Sequence, residues 1–296
     1  MEGRLVRASA RTTNRSPALR RVAALALVSA VVLAIAPGAG ASVVIGQLPP
    51  GPPSPNCTTS GVDYLQPSIT AGNLYVARQA GTITSWTTNS FGAGATYVLK
   101  VFRRTTDPDA FQVTTHSAPH TLSAGLNTVP VSLPVKSGDM LGYNESGPPN
   151  SCAFTEPGDN VLMRVGNLSD GAAGTFTPQS DVRLNLTAVL VPDNGFTLGG
   201  ITRDRKRGTA TITVTTSNPG LVTMAGKGLK KHGSRTLAVA GPLSFPVAAV
   251  GRTKRRLQRK GRVRLPLTVT FFPTGGDPSS QTIHLKLQKT RPPTPG

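Results

Sequence analysis

The chain is predicted to be all-β, a jelly-roll-like β-sandwich followed by an Ig-like β-sandwich, on three observations. From Val263 to Phe271 every second residue is apolar (Val263, Leu265, Leu267, Val269, Phe271), the period of a half-buried strand. No segment sustains a helical period. The strand candidates are short and evenly spaced, eight or so over about 130 residues and then seven in about 95, which suits two successive sandwiches.

Residues 1–41 have the three-part pattern of a signal peptide: a basic segment with Arg4, Arg7, Arg11, Arg15, Arg20 and Arg21, an apolar run from Val22 to Ala36, then small residues at Ala39 and Ala41 for cleavage before Ser42. The apolar run is about 15 residues, short of the roughly 20 that a spanning helix needs. No second long apolar run follows. A mature chain without a transmembrane segment is therefore expected, secreted or held at the cell envelope. In that oxidising setting Cys57 and Cys152 are read as one disulfide, which would stabilise the fold by about 4 to 5 kcal/mol in the chain-entropy model.

Residues 42–56 contain QLPPGPPSP and read as a proline-rich spacer. The first sandwich is expected over 57–192, with strands at Gly81–Thr88, Tyr97–Arg103, Phe111–Ser117, Asn127–Val135, Asp139–Tyr143, Asn160–Val165 and Val182–Val191. Within it Gly138 supplies the positive φ of a turn that Asp139 caps, while Trp86 shares a strand with Ile83 and reads as core. The functional alternative for Trp86 and Asp139 is a glycan site at the sandwich rim. The second sandwich is expected over 193–291, with strands at Phe196–Thr202, Thr209–Thr216, Gly220–Ala225, Thr236–Ala240, Leu243–Val250, Arg262–Phe272 and Gln281–Lys289. Between Leu243–Val250 and Arg262–Phe272, Thr253–Gly261 reads as a crossover that tucks Leu257 under the sheet. A proline-rich tail, 292–296, closes the chain.

Charge divides the two halves. From Ser42 to Pro192 there are 7 Lys and Arg against 9 Asp and Glu, a net of −2; from Asp193 to Gly296 there are 19 against 3, a net of +16. The change falls at Pro192-Asp193-Asn194-Gly195, a turn composition that marks a boundary. The candidate anion-binding residues are Lys227, Lys230 and Lys231, with Arg252, Lys254, Arg255, Arg256, Arg259, Lys260, Arg262 and Arg264. A module of this charge attracts polyanions with an affinity that falls steeply with salt.

The order of GTITSW and VKSGDMLGY in a two-cysteine β domain, then FTLGGITRDRKRGTATITVTT, GLVTMAGKGLKK and LQRKGRVRLPLTVTFFPTGG, resembles exported proteins of unassigned function from high-GC Gram-positive bacteria. The resemblance covers nearly the whole mature chain and implies folds and export, not an activity. Many such proteins carry a longer acidic, calcium-binding-like repeat at the seam between the domains. Here it is reduced to Pro192-Asp193-Asn194-Gly195-Phe196, too few carboxylates for a hard cation.

Signals for catalysis are poor. No serine sits in a G-x-S-x-G elbow. Gly220–Gly228 imitates a phosphate loop but lacks its spacing and its Ser or Thr. His116 and His120 are four apart with Pro119 between them and no third ligand. The carboxylates that could pair for hydrolysis are Asp107, Asp109, Glu156 and Asp159, all in turn contexts. The reading is thus of a non-catalytic protein without cofactor or metal, whose basic module meets an anionic cell-wall polymer, an acidic polysaccharide or lipid headgroups. The compartment, and the lack of a stacking platform, argue against nucleic acid. A carbohydrate-binding module in the first sandwich is the alternative, and an extracellular hydrolase the third reading.

Overall fold

The computed structural model describes residues 41–57, 59–72, 74–230 and 234–290. The expected signal peptide before Ala41 and the tail 292–296 lie outside them.

The first sandwich is formed by β1 (Val43–Gln47), β2 (Val62–Leu65), β3 (Gly81–Ser90), β4 (Thr96–Arg104), β5 (Ala110–His116), β6 (His120–Thr121), β7 (Gly125–Val135), β8 (Met140–Ser146), β9 (Ala153–Val165), β10 (Ala173–Thr175), β11 (Thr177–Leu184) and β12 (Leu186–Pro192). One sheet has the order β1-β12-β3-β7, the other β10-β5-β4-β8-β2-β9-β11 with β6 beside β4. Setting aside β6 and the inserted β9, β10 and β11, the eight remaining strands alternate between sheets in a fixed way. The first, last, third and sixth make one sheet, and the second, seventh, fourth and fifth the other. That is the double Greek key of a jelly roll.

Strict alternation holds where one face meets the core and the other meets water, as in β12, where Leu186, Ala188 and Leu190 are buried in turn. It fails in β2 and β4 because the outer face of the larger sheet is covered too. Tyr97, Leu99 and Val101 face the main core, whereas Phe102, with Leu65 and Met140, faces a second apolar cluster closed by Phe176. Phe176 links β10 at one edge of the sheet to β11 at the other, and its ring lies edge-on to both Phe102 and Phe111.

Two expectations for this half are corrected. The proline-rich stretch 42–56 begins with a strand, since β1 pairs with β12 and Ile45 is buried in the main core. Val182–Val191 is two strands. The chain leaves one sheet after Leu184 and joins the other at Leu186, and Asn185 holds the crossing. Its side chain donates to Asn89 O (2.7 Å) and Ser151 O (2.9 Å) and accepts from Asn89 N (3.1 Å), so the polar groups freed by the switch are satisfied.

The second sandwich consists of β13 (Phe196–Asp204), β14 (Thr209–Thr216), β15 (Gly220–Ala225), β16 (Arg235–Leu237), β17 (Gly241–Ala248), the helix α1 (Gly251–Lys260), β18 (Arg262–Pro273) and β19 (Ser279–Gln288). Its sheets are β13-β14-β17 and β16-β15-β18-β19. This is an Ig-like arrangement in which the fourth strand lies beside the third. The five alternating residues of β18 all enter the core, with Leu285 beside them on β19 and Ile212 and Phe245 contributed by the other sheet.

The expected crossover 253–261 is a helix. Leu257 is tucked under the sheet at 3% exposure, as the sequence suggested, but the cations around it wind into α1. Its length follows from its ends: Gly251 opens it, and Gly261 closes it in the left-handed region at φ 67°, donating to Leu257 O. A helix with one buried residue has no apolar stripe, which explains why no helical period was visible in the sequence.

The sandwiches meet through Asn218, in the turn between β14 and β15 and 1% exposed. It accepts from Ala80 N (2.7 Å) and donates to Ala80 O and Asp193 O (2.8 Å each), tying the chain before β3 to the chain after β12. The turn between β18 and β19 packs against the same junction, where a side chain at Gly276 would come within 3.1 Å of Pro192.

Candidate functional site: a basic pole

Six of the seven strands of the second sandwich run between two ends, one at the seam with the first sandwich and one beside α1; the short β16, with Arg235, pairs only with the seam half of β15. The strands β14, β15 and β17 carry no Lys or Arg, and β18 and β19 carry theirs (Arg262, Arg264, Lys286) only at the end beside α1. Four basic segments converge there. The turn 205–208 between β13 and β14 brings Arg205, Lys206 and Arg207; Gly208 within it would strike Leu257 of α1 if it bore a side chain (3.0 Å). The turn after β15 brings Lys227 and Lys230, and is tied to the start of α1 by Val250 N to Gly228 O (2.9 Å). The helix supplies Arg252, Lys254, Arg255, Arg256, Arg259 and Lys260. The chain after β19 returns Lys289, whose N–H bonds Gly261 O (2.8 Å), and Thr290 N bonds Arg205 O (2.8 Å). Lys231 lies outside the described residues.

The three carboxylates of this half sort the other way. Asp193 and Asp277 sit at the seam end, where Asp277 Oδ1 accepts from Ala41 N (3.0 Å), and only Asp204 stands among the cations, 3.7 Å from Arg207. The sandwich is thus electrically polar along its strands.

The pole is built against its own electrostatics. The first turn of α1 has no acidic residue, its N-cap Val250 makes no side-chain cap, and Arg252 and Lys254 stand where the helix dipole is positive. Like charges repeat at i,i+4 in Arg252/Arg256, Arg255/Arg259 and Arg256/Lys260, each pair costing a few tenths of a kcal/mol. The helix persists because Leu257 anchors it and Arg259 and Lys260 suit its C-terminal end.

Of the expected residues, Lys227, Lys230, Arg252, Lys254, Arg255, Arg256, Arg259, Lys260, Arg262 and Arg264 gather at this pole. Sequence reasoning missed Arg203, Arg205, Lys206, Arg207, Lys286 and Lys289. They belong to it through strand register, since β13 and β19 end where β18 begins. Arg235 stands apart on β16, where it lies opposite Val222 and so at the level of Phe271, towards the seam. The hairpin signal Asp204-Arg205-Lys206-Arg207-Gly208 could have found the turn cluster.

The glycan residues of the first sandwich are corrected. Trp86 is 0% exposed inside the main core, edge-on to His120, and offers no ring face to a sugar. Asp139 is buried with both oxygens occupied, Oδ1 by Arg103 Nε (2.7 Å) and Oδ2 by Arg103 (2.8 Å) and Lys136 N (2.7 Å). Gly138 has the positive φ of the expected turn.

The four carboxylates do not converge. Asp107 and Asp109 bond within the turn between β4 and β5, while Glu156 and Asp159 lie on β9 facing Arg183 (3.8 and 2.5 Å). His116 bonds Asp170 (2.7 Å), and His120 lies against Trp86. Among the described residues no group of three His, Cys, Asp or Glu could hold a metal ion. Cys57 and Cys152 form a disulfide with a Cα separation of 5.7 Å, and none of the described helices is long and apolar enough to cross a membrane.

No family model matches the chain, and no curated protein matches it. Among solved structures it is similar to a GH2 beta-galacturonidase from Eisenbergiella tayi bound to galacturonate, at 9% identity and a TM-score of 0.20, over 82% of this chain and 44% of that one. The chain spans less than half the length of that enzyme.

Proposed function

We propose that this is a non-catalytic protein exported from the cell, secreted or held at the envelope, whose second sandwich adheres through its basic pole to anionic surface polymers. The observation that carries the reading is the segregation of charge: the described cations, Arg235 excepted, stand at one end of the module, and two of its three carboxylates at the other. A coat that merely confers solubility needs no such sorting. Like-charge pairs on α1 and across β18 and β19 lower stability, which suits a surface that awaits an opposite charge. The disulfide supports an oxidising compartment.

The test is retention on purified cell envelopes. The protein is expected to bind at low salt and to be released by moderate salt, as counterions compete for the cations. Retention that does not change with salt would show that apolar contacts hold it and would end this reading.

A further inference from the structure

Two hollows lie side by side at the basic pole, and of the expected residues only Lys230 and Lys254 line them. The larger, about 590 Å³, is lined by residues of β14 and β17, with Arg207, Lys230 and Arg235 around it. The smaller, about 170 Å³, passes between the turn 205–208 and α1, lined by Arg207, Lys254 and Lys289. Arg207, Thr209 and Ala248 border both, so the two hollows are immediate neighbours and together make one candidate groove. Five cations line this path, and its carboxylate, Asp204, already accepts from Arg207 N (2.9 Å).

The floor decides what can lie there. The aromatic residue of the groove, Phe245, is 1% exposed and covered by the Arg235 guanidinium, 5.5 Å from its centroid. No ring face is open to a sugar or a base, so the groove reads charge and not rings. Thr209 and Thr211 add hydroxyls that can bond anionic oxygens.

We propose that the groove seats a linear polymer bearing an anionic group on every repeat, one group among Arg235, Lys230 and Arg207 and the next between Lys254 and Lys289. This rests on the proposed adhesion and names its ligand chemistry: repeated phosphoryl or carboxylate groups on an unbranched chain. Recognition then depends on chain length, because a single anion engages one hollow while a polymer engages both.

The experiment titrates the purified protein with long-chain inorganic polyphosphate, linear polyglutamate, inorganic phosphate and oligo(dT), at one ionic strength. Polymer binding that far exceeds inorganic phosphate is expected, and the polyphosphate and polyglutamate arms show which anion is preferred. Arg207→Gln with Arg235→Gln should lower polymer affinity by about tenfold or more, since charge-assisted bonds of this kind contribute at least about 1.5 kcal/mol each. Both side chains are exposed, and an unchanged circular dichroism spectrum and Tm certify the fold. Arg255→Gln with Arg256→Gln, outside the groove, should cost less. If the two double variants lose affinity equally, or the second loses more, the groove is overturned and adhesion by the pole stands. Tighter binding of oligo(dT) than of polyphosphate of equal charge would overturn the groove as well, because stacking would then contribute. If the unaltered protein binds neither polymer, both readings fall together.

Discussion

Arg264 and Lys286 face each other directly across the pair of β18 and β19, two exposed cations at a register position where opposite charges would be expected to pair. Like charges so placed cost roughly 0.2 to 1 kcal/mol. Lys286→Glu should therefore raise stability by up to about 1 kcal/mol while weakening retention on envelopes. Denaturant unfolding and a binding assay on the same variant check both. A variant that gains stability and binds no less would show that the pair takes no part in adhesion.

The same reasoning predicts a salt effect of opposite sign on fold and function. Added salt screens the repulsion within α1 and across the two strands, so Tm should rise as ionic strength goes from low to physiological while polyanion binding falls. A Tm that drops with salt would mean that attractive pairs, not repulsive ones, dominate the pole.

Leu257 bears the attachment of α1, being its one buried side chain. Leu257→Ala should cost about 2 to 5 kcal/mol, and Leu257→Met less than about 1.5 kcal/mol, in denaturant unfolding. Because six cations ride on this helix, the Ala variant should also lose polyanion affinity with no charge removed. Equal affinity in the Ala variant would show that the helix need not be docked to bind.

Much of this was legible in the chain, for a physical reason. A strand that buries one face writes its period into the sequence, and the expected bounds Thr209–Thr216 and Gly220–Ala225 coincide with β14 and β15. Where both faces are covered the period vanishes, so β2, whose Asp63 and Leu65 lie on the outer face, was not foreseen. Leu257 was seen as an anchor, but a helix held by a single side chain leaves no stripe. Asn185 and Asn218 read as ordinary polar residues, yet one switches the chain between sheets and the other joins the sandwiches. Their partners lie in other strands and turns, at separations that local pattern does not reach.

Lys100 and Asp63 form an ion pair under the segment after β9, at 2.6 Å and about 1% exposure. Lys100 also donates to Asn167 Oδ1 and Leu168 O (2.7 Å each), so the ammonium's three protons are used; burial still lowers its pKa, with the Asp63 bond opposing. Lys100→Met should cost about 3 to 5 kcal/mol, because it strands a buried carboxylate. Adding Asp63→Asn should recover part of that loss. A double-mutant cycle by urea unfolding measures the coupling, and strictly additive costs would show that the two side chains act independently.

Glu145 presents the clearest pH dependence. It is 1% exposed on the core side of β8, opposite Tyr97 and near Tyr64 and Tyr143, and its Oε2 has no hydrogen-bond partner. Burial pushes its pKa from 4.5 up to about 7. In that window the folded protein keeps a proton that the unfolded chain has released, so stability should fall as pH rises from about 4.5 to about 7 and level off above it. The fall amounts to at most about 3 kcal/mol, less if water reaches the carboxyl. Asp159 acts in the opposite sense. Burial alone would raise its pKa, but the Arg183 hydrogen bond and those from Thr70 hold it below its ordinary value of 3.8, so its contribution is present above that pH and lost as pH drops further. Glu145→Gln should remove the decline between pH 4.5 and 7 and leave the acid limb of Asp159 in place. Urea unfolding across this range decides it: a variant that declines like the unaltered protein would mean that Glu145 is ionised in the fold and finds a partner there.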